Sequence, residues 1–98
     1  MSRIVRRSGG GNVIVIVVYD VPAERTRIYR KLLRRRLEHL QQSVFYGDLT
    51  EGQITGMKNE IRDKLEADDS VIVFEAGSSA IVDYETFGDT DEPGSRFT

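Results

Sequence analysis

From Val13 to Tyr19 the chain reads seven β-branched or aromatic residues in a row and then meets a carboxylate, Asp20. An apolar run of this length and composition predicts a central strand buried on both faces. Val21-Pro22 follows, and the period of the pattern changes. Ile28, Leu32, Leu33 and Leu37 recur at helical spacing, which predicts a helix from about Ala23 to about Leu37, with Pro22 at its first turn. Between Glu38 and Leu49 the apolar residues Leu40, Val44, Phe45 and Tyr46 are separated by polar ones. Two short strands with a tight turn near Gln41-Gln42 fit that length. Thr50-Glu51-Gly52-Gln53 has the form of a capping box, and Ile54, Met57, Ile61 and Leu65 follow at spacings of three and four. A second helix is therefore expected over about Glu51 to Glu66. Val71-Ile72-Val73-Phe74 predicts a buried strand from Ser70 to Glu75. Gly77-Ser78-Ser79 reads as a turn, and Ala80 to Phe87 as a last, weakly alternating strand.

The order β-α-β-β-α-β with one added strand is an α+β, ferredoxin-like pattern, in which two helices cover one face of an antiparallel sheet. The apolar first strand then leaves the other sheet face in need of a cover, and a second copy of the chain is the simplest one. The surplus strand could extend a partner's sheet edge. The domain is expected over residues 13–87. A basic, Gly-rich segment at 1–12 reads as a flexible arm, and the acidic stretch 88–98 as a disordered tail.

At 98 residues the chain holds one domain with a thin core. It has no cysteine, which excludes disulfides and thiolate metal sites and fits a reducing cytoplasm. The apolar run falls short of the roughly 20 residues that a membrane helix needs, so no membrane partner is expected. Arg3, Arg6 and Arg7 ahead of that run resemble the start of a secretory leader. The run is at the minimum length for one, however, and cleavage would remove the best strand, so no leader is expected.

Charge changes the picture more. The net charge of −2 conceals a segregation: ten Lys or Arg against two acids from Met1 to Arg36, and nine acids against one base from Glu66 onward. Arg25, Arg27, Arg30, Lys31, Arg34, Arg35 and Arg36 all fall on the first predicted helix, with Glu24 the only acid among them. A helix face of nearly one sign is mildly self-repelling and suits a polyanion. Arg25, Arg27, Arg30, Lys31, Arg34 and Arg35 are accordingly the candidate phosphate contacts, of the kind that position a nucleic acid without reading its sequence. The plainer reading is a solvated helix face.

Asp20 is open to two readings. A carboxylate at a strand end can cap the next helix. It can also help to hold Mg²⁺, which keeps several waters and needs only one or two carboxylates when phosphate supplies the rest. One Asp per chain is sparse for metal-assisted hydrolysis, and a two-fold axis would double it. Ser43 and Phe45 are either site residues or ordinary strand and core positions. His39, the only histidine, could serve as a general base but is more simply structural. Gly9-Gly10-Gly11 lacks the Lys-Ser/Thr of a phosphate loop.

Tyr19-Asp20 at the end of a Val/Ile strand, the Arg-rich helix, Gln41-x-Ser43-Val44-Phe45 ahead of a capped second helix, and Asp69-Ser70-Val71 opening the next strand together resemble the CRISPR-associated protein 2 family. The resemblance spans about Val13 to Glu85. It implies a ferredoxin-like homodimer in which Asp20 of each subunit faces its mate and the pair binds Mg²⁺ or a similar divalent cation. It also implies supporting site positions at Tyr19, Arg25, Arg27, Ser43 and Phe45, and a role in spacer acquisition. Two activities are implied: metal-dependent endonuclease action on single-stranded RNA or duplex DNA, or a non-catalytic adaptor that holds duplex DNA for the CRISPR-associated protein 1 integrase. The chain departs from the family at Arg36, where a glycine usually ends the first helix, and at His39, where an arginine is frequent. Its first eleven or so residues have no counterpart. A third reading, a small-ligand regulatory module on the same fold, would need a ligand cleft in place of an arginine face.

Overall fold

In the computed structural model, residues 12–76 and 82–88 are described. The expected arm and tail, and the Gly77-Ser78-Ser79 turn, lie outside them except for Asn12 and Gly88. The elements are β1 (Val13–Asp20), a 3-10 turn (Ala23–Arg25), α1 (Thr26–Arg34), β2 (Glu38–Gln41), β3 (Val44–Leu49), α2 (Glu51–Lys64), β4 (Ser70–Ala76) and β5 (Val82–Gly88). The strands form one antiparallel sheet in the order β2-β3-β1-β4-β5. This is the ferredoxin-like α+β arrangement, with β5 added beside β4 of its own chain.

Strand alternation decides what each face carries. Val15, Val17 and Tyr19 point toward the helices and are buried, together with Phe45 and Leu49 of β3, Val71 and Val73 of β4, and Phe87 of β5. Tyr29, Leu32 and Leu33 of α1 and Ile54, Met57 and Ile61 of α2 complete this core. The intervening β1 residues face the other way. Ile14 is 49% exposed and Ile16 39%, so within one chain β1 is buried on one face only, not on both. Tyr46, Phe74 and Tyr84 share this uncovered face, since Ile16 lies between Tyr46 and Phe74 in register and Phase alternation carries Tyr84 beside Phe74.

The first helix differs from its expected span. Its opening turn is 3-10, with the Arg25 N–H donating to the Pro22 carbonyl at 2.8 Å, and regular α-helix ends at Arg34. The Leu37 N–H still reaches the Leu33 carbonyl at 2.9 Å, and Leu37 is buried, so the chain swings into β2 without losing its apolar anchor. Arg36, at the expected end of the first helix, carries no backbone strain, because the only described non-glycine residue with positive φ is Gln42 (φ 40°). Gln42 sits in the expected tight turn between β2 and β3. The capping box forms in full: Gln53 N–H donates to Thr50 Oγ1 at 3.2 Å, and Thr50 N–H donates to Gln53 Oε1 at 2.9 Å. α2 ends at Lys64, two residues earlier than expected. No described helix is long and apolar enough to cross a membrane.

Candidate functional site

Asp20 closes β1 on the uncovered side of the sheet, because it continues the alternation of Ile14, Ile16 and Val18. It is exposed. The capping reading does not hold: the N-cap positions are Pro22 for the 3-10 turn and Arg25 for α1, and neither makes a side-chain cap hydrogen bond. The backbone carbonyl of Asp20 accepts a long 3.4 Å hydrogen bond from the Ser70 hydroxyl, opposite it in β4. The Asp20 carboxylate itself is left to solvent.

Beside Asp20 lies an open depression of about 350 Å³, lined by Tyr19, Asp20, Val21, Thr26, Arg30, Gln42 and Ser43. The end of β1, the first turns of α1 and the β2–β3 turn therefore meet here. Ser43 is half-buried, and its carbonyl accepts from the Tyr19 N–H at 3.1 Å. His39 Nε2 lies 2.6 Å from the Gln42 carbonyl. A carbonyl only accepts, so Nε2 carries the proton in this contact, and His39 pins the turn that presents Ser43.

Tyr19 and Phe45 stand differently from Asp20. The Tyr19 ring points under α1 and stacks on Tyr29 at 5.8 Å and on Phe45 at 6.2 Å. Its hydroxyl is buried and has no hydrogen-bond partner among the described residues. Phe45 is wholly buried and stacks on His39 at 4.6 Å. Phe45 is core packing, and Tyr19 is buried beneath α1 while still forming part of the lining of the depression. The pleat sends the Tyr19 and Asp20 side chains to opposite faces, so the expected supporting positions Tyr19 and Phe45 lie in the core.

The basic residues of α1 divide by helical face. Arg27, Arg30, Lys31, Arg34 and Arg35 line a second, shallow depression along the outer side. Among the described residues Arg27, Arg30, Lys31 and Arg34 take no ion pair. Arg35 bonds Glu60 of α2, as does Arg36 at 3.0 Å, and Glu60 is held below the usual carboxylate range chiefly by the Arg36 hydrogen bond. The bases of α2 contrast with those of α1. Lys58 bonds Glu75 at 2.7 Å and Glu85 at 2.9 Å, and Arg62 bonds Glu85 at 3.1 Å.

Arg25 does not belong to the outer face. Positions 25, 29, 32, 33 and 36 share the inner stripe, and Arg25 turns inward to Asp69, the only buried charged residue described. Its Nε lies 3.0 Å from both Asp69 oxygens and its Nη2 2.8 Å from Oδ2. Nη2 also donates to the Lys64 carbonyl at 2.6 Å, and Nη1 lies 3.3 Å from Glu66. Asp69 further accepts from the Tyr29 hydroxyl at 2.7 Å and from the Glu66 N–H at 3.1 Å. Burial alone would push the Asp69 carboxyl up, but the bonds from Arg25, Tyr29 and the Glu66 amide outweigh it and hold it below the usual range. Tyr29 is pushed up to about 12, first by burial and then by its bond to Asp69. The expected phosphate contact at Arg25 is thus an internal ion pair. The sequence marks Asp69 only as opening the next strand, and neither its pairing with Arg25 nor its bond from Tyr29 is legible there. The available signal was a cation on the apolar stripe of a helix, which calls for a buried partner.

Among the described residues no three His, Asp or Glu side chains gather as a metal cage. A lone exposed carboxylate does suit an ion that keeps most of its waters and takes further oxygens from phosphate. The donor set at Asp20 therefore fits Mg²⁺ and does not fit a closed structural metal.

Comparison with known proteins converges on one family. The family model described as CRISPR associated protein Cas2 matches residues 13–82. A relative from Haloferax volcanii named CRISPR-associated endoribonuclease Cas2 is 71% identical over 84 residues, covering 86% of this chain and 98% of that one. A relative of the same name from Fusobacterium nucleatum is 32% identical, covering 93% and 92%. A solved structure titled "Crystal structure of cas2" superposes with a TM-score of 0.66 at 33% identity, covering 84% of this chain and 93% of that one. Sequence and fold agree, and the chain belongs to the CRISPR-associated Cas2 family.

Proposed function

We propose that the chain is a spacer-acquisition subunit that works as a homodimer, binds nucleic acid along the outer face of α1, and cleaves phosphodiesters with a divalent cation held by paired Asp20. The observation that carries this reading is the exposed Asp20 on the same depression as Arg30, at the head of a groove whose Arg27, Arg30, Lys31 and Arg34 take no ion pair among the described residues. The relatives' name, endoribonuclease, agrees with hydrolysis of RNA. The uncovered face supports the dimer. It carries Ile14, Ile16, Tyr46 and Tyr84 in the open, and Asp20 stands at its end. Two such faces packed about a two-fold axis bring the two carboxylates toward each other.

Each part of the chain then has a chemical task. The ion, when bound, offsets charge on the phosphodiester and makes water a better nucleophile. Asp20 supplies the carboxylate that holds it. Arg27, Arg30, Lys31 and Arg34 neutralise the flanking phosphates. Water oxygen bonds to phosphorus, the bond to one ester oxygen breaks, a proton leaves the water, and the departing oxygen gains one.

A second reading rests on the same cations. A face of unpaired arginines is sufficient to hold duplex DNA for a CRISPR-associated protein 1 integrase, with no chemistry at Asp20. The test compares wild type with Asp20→Ala and Asp20→Asn, scoring RNA and DNA cleavage in Mg²⁺ and, separately, spacer integration. Cleavage lost in both variants supports the nuclease. Cleavage absent, or surviving both substitutions, while integration persists leaves the adaptor.

A further inference from the structure

Arg30 is the one residue that lines both depressions, the cation groove along α1 and the hollow beside Asp20. Helical spacing explains this. Thr26 and Arg30, four apart, border the Asp20 hollow; Arg27, Arg30 and Arg34, three and four apart, border the groove. Arg30 therefore stands where a backbone track would pass from positioning contacts to the strand-end carboxylate. It is exposed, and among the described residues no acid pairs with it. Among the neighbouring bases, Arg25 is taken by Asp69 and Arg35 and Arg36 by Glu60, whereas Arg27, Lys31 and Arg34, like Arg30, take no ion pair among the described residues.

The geometry points to Arg30 as the residue that holds the phosphate next to Asp20, and so sets which phosphodiester of a bound strand lies at the carboxylate. The inference rests on the nucleic-acid reading above and adds a division of labour within α1. A guanidinium presents two parallel N–H groups to two phosphate oxygens, which fixes the orientation of a phosphate as well as its charge. Arg27 and Arg34 hold neighbouring phosphates and give affinity. Arg30 gives register, because the phosphate it holds is the one that feels Asp20. Without a cation, Asp20 repels that phosphate; with one, it attracts it through the ion. Either way the energies of Arg30 and Asp20 are coupled through a shared ligand, and those of Arg34 and Asp20 are not.

A double-mutant cycle on the full chain reads this directly. Affinity for a labelled single-stranded RNA and a labelled DNA duplex is measured in chelator and in Mg²⁺ for Asp20→Asn, Arg30→Gln, Arg34→Gln and both pairs with Asp20→Asn. Each Arg→Gln change is expected to weaken binding and to lower the salt slope by about 1. The Asp20–Arg30 pair is expected to depart from additivity by at least about twofold, and the Asp20–Arg34 pair to be additive. Arg30→Lys, which keeps the charge but not the fork, is expected to regain affinity while mapped cleavage positions on the RNA spread to neighbouring phosphates. Additive behaviour in both pairs, or equal coupling in both, overturns the role of Arg30 while leaving nucleic-acid binding intact. Wild type that binds neither probe at low salt overturns the nucleic-acid reading itself, and this inference with it.

Discussion

Arg25 and Asp69, 44 positions apart, face each other across the core boundary with Arg25 Nη2 2.8 Å from Asp69 Oδ2. The pair joins the turn after β1, the end of α2 and the start of β4. These are the segments that surround the tip of β1, where Asp20 stands. Such a pair is costly to desolvate, and its value shows when one member is removed and the other is left buried.

Asp69→Asn is therefore expected to destabilise the fold by about 3 kcal/mol. Denaturant unfolding followed by circular dichroism measures this. A loss within the scatter of ordinary surface substitutions would show that the pair is dispensable.

The same carboxyl sets an acid limb of stability. Its folded pKa is depressed, so its contribution is complete above the ordinary carboxylate value of about 4 and is lost as pH falls through the lower folded value. Unfolding free energy is expected to fall steeply on acidification in wild type and less steeply in Asp69→Asn. Tyr29 has the opposite sign. Its pKa is raised to about 12, so its contribution is present below the ordinary tyrosine value of about 10 and is lost as pH rises through the folded one. Tyr29→Phe is expected to flatten that alkaline limb. Equal slopes in wild type and variant would contradict either assignment.

Among the described residues, Asp20→Asn touches no helix cap and no ion pair. Stability is expected to stay within about 0.5 kcal/mol of wild type while Mg²⁺-dependent cleavage is lost. A melting curve beside a cleavage assay separates the two. A variant that unfolds easily would mean that Asp20 supports the fold after all.

Replacing Arg27, Arg30 and Arg34 together is expected to weaken duplex binding and to reduce the salt slope by about 2 to 3. Unchanged affinity at moderate salt would remove α1 from the interface.

Ile16 lies at the middle of the uncovered sheet face, between Tyr46 and Phe74 in register. Ile16→Lys is expected to leave the monomer folded and to shift sedimentation from dimer to monomer. A dimer that persists would place the subunit contact elsewhere.

Much of this fold was legible in the sequence, and the exceptions share a cause. The capping box at Thr50 and Gln53, the β2–β3 turn at Gln42, and the stripe of Ile54, Met57 and Ile61 are local patterns, and each forms as its spacing implies. Asp20 was legible as a strand-end carboxylate, but its freedom from capping depended on where the next turn begins. Arg25 was misread because charge runs conceal which face each member occupies. Its partner lies 44 positions away, and no short-range pattern announces a contact of that range. Tyr19 and Phe45 entered as supporting positions through the family resemblance; the pleat buries both, and the Tyr19 ring stacks on Tyr29 and on Phe45.

The alternation that sets Asp20 beside Ile14, Ile16 and Val18 has a kinetic consequence. In the proposed dimer, chemistry that needs two Asp20 side chains is tied to the same surface that joins the subunits. Dilution below the dissociation constant of the dimer then extinguishes turnover with the square of the protein concentration. Nucleic acid long enough to span both α1 grooves raises the effective concentration of subunits and restores it. On the proposed reading, the chain is inert when scarce and is switched on by the substrate that gathers it.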